Sequence, residues 1–175
     1  MLKRLFLSAA FSSVAMSATA TAADNVHYSG RLVTEPCTLA PESESIAVEF
    51  GSVVDKYLYQ NSRTLGQTFT LRLMDCNLEL GNALKITFSG SENAALPGLL
   101  AIDGASQAKG IAIGLETPEA KPVPINQQSE KYLLQEGSNV ITLGAYVQGE
   151  PQAIANKAIG RGAFSAIATF NLEYQ

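Results

Sequence analysis

Apolar and polar residues alternate along much of this chain, most strictly at residues 162–175. There Phe164, Ala166, Ala168, Phe170, Leu172 and Tyr174 fall on one face. Ser165, Thr169, Asn171 and Glu173 fall on the other, with Ile167 the apolar exception. A period of two is the signature of a β-strand with one face on a core. The run continues to the last residue, Gln175, so its free side is expected to lack a partner from this chain. Such an edge invites another chain. A second alternating run, at residues 24–32, places Val26, Tyr28 and Leu32 on one face with Gly30 among them. One end of the chain reads as an edge that needs a strand, the other as a strand to give.

Between these ends the same period recurs. Residues 32–37 read as a first strand ending near Pro36, and residues 46–50 as a second through Ile46, Val48 and Phe50. Residues 52–66 are polar apart from Tyr57 and Tyr59 and read as a loop. Residues 68–74 alternate through Phe69, Leu71 and Leu73. Further strands are expected at 83–88, 99–102, 111–115 and 140–147, the last with Gly144 inside it. Pro122 and Pro124 confine residues 123–125 to an edge or a loop. Residues 152–157 could make one helical turn. Short strands separated by Gly, Asn, Pro and Ser turns predict an all-β sandwich.

Composition narrows the class. A chain of 175 residues fits one domain with processed ends. Residues 1–22 read as a secretory signal. Lys3 and Arg4 precede a short apolar stretch, and Ala-x-Ala patterns at 18–20 and 20–22 place cleavage after Ala22. The stretch is too short and too rich in Ser and Ala for a membrane anchor. Net charge is −4 and dispersed, which argues against nucleic acid or an anionic membrane as partner. Cys37 and Cys76 are the only cysteines. In an exported protein an even count reads as a disulfide. It would close a loop of about 40 residues and contribute about 4 kcal/mol on the chain-entropy account.

Catalytic chemistry finds no footing. His27 is the sole histidine and lies in the N-terminal extension, so a Ser-His-Asp triad has no rigid imidazole. The acids Asp55, Glu79, Glu92, Asp103, Glu116, Glu119 and Glu130 are scattered through expected loops. The cysteines are too far apart for a zinc site. No glycine spacing matches a nucleotide loop. No enzyme activity, cofactor or metal is expected.

The residues resemble those of bacterial fimbrial subunits of the chaperone–usher pathway, the type 1 and P-pilus pilins. The resemblance covers essentially the whole mature chain. Its carriers are the alternating C-terminal run with penultimate Tyr174, Gly162 fourteenth from the end, Gly30 seven residues before Cys37, and the cysteine spacing. Leu-Met-Asp-Cys at 73–76, Ile-Thr-Phe-Ser-Gly at 86–90 and Gly-Ala-Tyr-Val at 144–147 add to it. Ala-Ala-Leu-Pro-Gly at 94–98 and Glu-Pro-Cys at 35–37 resemble adaptor pilins of the fibrillar tip.

That resemblance implies an incomplete immunoglobulin-like sandwich lacking its last strand, completed by a donor strand from another subunit. It implies a signal peptide at 1–22, a donor extension at 23–33 and a pilin domain at 34–175. Val26, Tyr28 and Leu32 would plug a neighbour's groove, each contributing roughly 1.5–3 kcal/mol on burial. Gly30 would sit where the neighbour's backbone leaves no room for a side chain. Leu32 falls where exchange begins in the family. Asp24, at the far end, stands where many members carry an apolar residue. The acceptor groove would be built on Gly162, Phe164, Ala166, Ala168, Phe170, Leu172, Tyr174 and Gln175. Basic residues of a periplasmic chaperone would hold the Gln175 carboxylate. The implied partners are that chaperone, an outer-membrane usher and neighbouring pilins, and the implied destination is a fimbria on the cell surface.

Two other roles compete with a polymerising subunit. A stand-alone adhesin would bind a receptor through the sandwich loops, but a mature chain from Ala23 has no length for the extra receptor-binding domain of tip adhesins. An assembly terminator would carry a groove closed to further donors.

Overall fold

Alternating runs become strands wherever another strand lies alongside, and two such stacks form. The structure is a computed structural model that describes residues 28, 29, 32 and 34–175. The signal segment, Val26 and Gly30 lie outside the described residues. Thr34–Gln175 makes one compact unit.

Its strands are β1 (Thr38–Leu39), β2 (Gln67–Cys76), β3 (Ala83–Ser89), β4 (Leu100–Ala101), β5 (Ile111–Glu116), β6 (Tyr132–Leu133), β7 (Gly137–Gly149) and β8 (Thr169–Tyr174). Two short helices join them, α1 (Asp55–Asn61) and α2 (Pro151–Ala155). One sheet runs β1-β2-β7-β5-β4 and the other β6-β3-β8. Every named pairing is antiparallel.

Register follows the apolar rows. Leu71 faces Ile141 across β2–β7, and Ile113 faces Val147 across β5–β7. Leu71, Leu73, Leu84, Ile86, Leu143 and Val147 are buried at the centre. The sheets meet face to face: the Phe69 ring of β2 stands edge-on to Phe88 of β3, centroids 6.4 Å apart. The Cys37–Cys76 disulfide ties the residue before β1 to the last residue of β2.

The structure corrects several expectations. The first strand is not 32–37 but the short β1 after Cys37. Pro36 has no N–H for a ladder; its carbonyl accepts the Asn77 N–H at 2.8 Å instead. The loop expected at 52–66 holds α1, anchored by buried Leu58. Residues 123–125 form a loop, one of the two forms expected of them, with the Val123 N–H reaching the Leu115 carbonyl at 2.8 Å. β6 was not expected at all. The run at 46–50 is not a strand, and the C-terminal strand begins at Thr169, leaving 162–168 outside it. In both places the side-chain pattern is that of a strand, but no strand pairs along it among the described residues.

Candidate functional site

Two runs with incomplete backbone pairing, residues 46–50 and 162–175, pack on the same core, meet at Phe50 and Phe164, and form the margins of a candidate site. On one margin Phe164, Ala166, Ala168, Phe170, Leu172 and Tyr174 are each half-buried, and the residues between them are exposed. On the other, Ile46, Val48 and Phe50 are half-buried and alternate with exposed Ala47 and Glu49. All nine inward residues pack against the hydrophobic core. The contrast with β3 is direct. Leu84, Ile86 and Phe88 are buried, while their cross-strand partners Tyr174, Leu172 and Phe170 on β8 are not. A row that touches the core yet stays half-open lacks a cover on its far side.

The backbone tells the same story. Among the described residues, residues 45–53 make no backbone–backbone hydrogen bond, and neither do residues 166–168. Extended backbone of this kind normally finds a partner, because unpaired N–H and C=O groups beside apolar surface are costly. β8 is paired to β3 and lies at the edge of its sheet. Such an edge can take up one more strand.

Both ends of the C-terminal margin are anchored. At the Gly162 end, φ is +140° and Gln107 lies where a β-carbon would project, so the backbone demands glycine. Gln107 and Ala108 donate their N–H groups to the Ala163 carbonyl at 2.8 and 3.2 Å, and Asp103 donates to Ser165 at 2.7 Å. At the other end the Gln175 carbonyl accepts the N–H groups of Asn82 and Ala83 at 3.1 and 3.3 Å. Burial, and after it the charge of Glu35, raises the Tyr174 hydroxyl above its ordinary pKa.

The margins approach each other at the Gly162 end. The Phe50 and Phe164 rings lie 6.0 Å apart, tilted by 35°. Next to them α1 carries Asp55, whose carboxylate accepts two hydrogen bonds from Arg161, at 2.9 Å from Nε and 2.7 Å from Nη2. These bonds hold the Asp55 carboxyl below its ordinary value and raise the Arg161 guanidinium, so both are charged at neutral pH. Phe50 also lines an open cleft with Val53, Val54, Tyr57 and Leu65.

The C-terminal residues singled out from sequence are thus brought together on one margin. Tyr28 and Leu32 are exposed; Val26 and Gly30 lie outside the described residues. Sequence reasoning read Ile46, Val48 and Phe50 as a strand but missed them as the facing margin. Their alternation was the available signal. It missed Asp55 and Arg161 as well, for which no local signal exists.

Two facing sheets, a disulfide beside β1 and an unpaired gap beside the last strand define the class: an immunoglobulin-like sandwich left incomplete at one edge, as in pilins. The chain belongs to the fimbrial protein family, whose model, described as "Fimbrial protein", matches residues 26–175. It is 32% identical to the major MR/P fimbria protein of Proteus mirabilis, over 91% of both chains. It is 31% identical to the fimbrial adapter PapK of Escherichia coli, over 92% of this chain and 93% of that one. The fold matches the crystal structure of the P pilus rod subunit PapA with a TM-score of 0.69, at 24% identity, covering 81% of this chain and all of that one. The protein is a fimbrial pilin of the chaperone–usher class, a structural subunit of surface fimbriae and not an enzyme.

Proposed function

We propose that this pilin polymerises by donor-strand exchange. An N-terminal segment from another subunit fills the gap between residues 46–50 and 164–174, and the protein's own residues 23–33 fill the gap of the next. The observation that carries this reading is the pair of margins with alternating half-buried side chains, where residues 45–53 and 166–168 have no backbone partner among the described residues. Donor-strand complementation between chaperone and pilin is an established instance of recognition by β-strand addition. Main-chain hydrogen bonds supply affinity, and alternate side chains in pockets set the register. Val26, Tyr28 and Leu32 are the donor's inward row, with Gly30 where the margins leave least room.

Before exchange, a periplasmic chaperone covers the same gap and holds the Gln175 carboxylate, and an outer-membrane usher passes the subunit to the growing fibre. Residues 1–22 direct export and residues 34–175 are the pilin domain. The narrower role is that of an adaptor near the fibre tip. Supporting it are Ala-Ala-Leu-Pro-Gly at 94–98 and the 31% identity to an adapter. The 32% identity to a major fimbria protein weighs equally for a rod position.

The test is co-purification from periplasm with the cognate chaperone, then challenge with a peptide of residues 23–36 and with extensions of neighbouring subunits. Time-dependent chaperone displacement is expected, and the peptide that displaces fastest identifies the neighbour and so the position in the fibre. A chaperone complex that resists every peptide would replace this reading with an assembly terminator. A stable, cooperatively folding monomer that binds no chaperone would refute it outright.

A further inference from the structure

We propose that Asp55 and Arg161 form a clasp across the Gly162 end of the gap, holding Phe50 against Phe164 and slowing admission of the donor strand. This rests on the strand-exchange reading above. Asp55 follows Phe50 by five residues, and Arg161 precedes Phe164 by three. The ion pair therefore ties the two margins together just outside their only aromatic contact among the described residues. A second tie runs parallel: the Tyr59 hydroxyl, also on α1, accepts the Ile159 N–H at 3.2 Å.

The clasp has leverage because the two sides differ in restraint. The Arg161 side is held independently, with Gly160 and Lys109 exchanging two backbone hydrogen bonds of 3.0 Å. The Phe50 side has no backbone hydrogen bond among the described residues. Its distance from Phe164 is set by side-chain packing and by where α1 begins. Asp55 at the first position of α1, with Leu58 buried beneath the helix, supplies that reference point. A donor side chain entering at this end must part the two rings, and the clasp opposes the parting.

Arg161 is 83% exposed on its side chain, so its replacement removes almost no packing. Exposed pairs are weak, which sets the scale: releasing this one should speed exchange by roughly two- to fivefold. The experiment uses the chaperone-bound subunit and the displacing peptide of residues 23–36. Initial displacement rates are compared for wild type, Asp55→Asn, Arg161→Gln and the charge-swapped pair Asp55→Arg with Arg161→Asp. Both single variants are expected to exchange faster, the swap to return toward wild type, and added salt to speed wild type more than Arg161→Gln. The melting temperature of the fully exchanged product should stay close to wild type, so that a faster exchange reports a lower barrier and not a weakened fold.

If wild type exchanges and both single variants match it or fall behind, the clasp is wrong while strand exchange stands. If neither wild type nor any variant exchanges, the strand-exchange reading fails and the clasp with it. If Asp55→Asn does not co-purify with the chaperone, Arg161→Gln alone decides.

Discussion

Glu116 is an acid buried in a β-sheet, and five other residues make that possible. On β5 it alternates with Ile111, Ile113 and Leu115 and so lies on the face away from the core. Arg63 reaches its carboxylate at 2.6 Å, and the same guanidinium lies 4.3 Å over the Tyr146 ring. The hydrogen bond to Glu116 raises the Arg63 pKa further above its usual value. A buried carboxylate without such a partner would carry a large desolvation cost. Gly144 and Gly66 leave room for the Glu116 side chain, and Gly114 leaves room for the Tyr146 ring, which occupies the space of the missing β-carbon. Gly114→Ala should therefore lower stability by about 1–3 kcal/mol through overpacking, read as a lower urea midpoint of the donor-complemented protein. An unchanged midpoint would mean that Tyr146 moves aside freely. Gly144 was visible in the sequence as a glycine inside a strand. Its reason was not, because Arg63 and Glu116 are 53 residues apart.

At the scale of elements, β8 shows most clearly how side-chain pattern and backbone pairing come apart. The period-two pattern runs unbroken from Phe164 to Tyr174, yet pairing begins only at Thr169. Alternation reports which face is apolar. It does not report whether a partner is present, and a strand requires one. The same holds at Ile46, Val48 and Phe50. A charge placed in the open row tests that separation. Ala168→Asp should leave the disulfide and the buried rows of β2, β3 and β7 intact while abolishing capture of the residue 23–36 peptide, since a carboxylate would be buried on capture without a partner. Peptide capture at the wild-type rate would show that the row is not part of the acceptor surface. The helix α1 was illegible for a different reason. It has seven residues, one buried side chain and no side-chain N-cap. Two turns with a single apolar anchor carry no readable period, and such a helix persists only through its tertiary contacts.

At the scale of the whole molecule, one disulfide and an unfinished core have to hold two sheets together. The Cys37–Cys76 bond spans a sequence separation of 39 and fixes β1 against the end of β2. Replacing both cysteines by serine should cost about 4 kcal/mol on the chain-entropy account. The expected readout is a lower urea midpoint of the donor-complemented protein, and a smaller recovery of the chaperone complex. A wild-type midpoint would mean that strand pairing alone sets the position of β1. A row of half-buried apolar side chains along an open edge also predicts self-association of the uncovered monomer, which a chaperone or a donor strand would suppress.

The sequence by itself determined the class of fold, because period-two alternation and turn residues are local signals that survive without a structure. It also determined the apolar faces of the central strands and of the C-terminal run, the cysteine pair, and the resemblance to pilins. Only the tertiary structure decided which alternating runs find partners. Only it brought the row at 46–50 and the row at 164–174 onto one core, with Phe50 meeting Phe164. It alone joined Asp55 to Arg161 across 106 residues and Arg63 to Glu116 across 53. The physical reason is common to all of these. Period and propensity are properties of neighbours along the chain, whereas pairing, burial and ion-pair formation depend on residues that folding brings together from far apart.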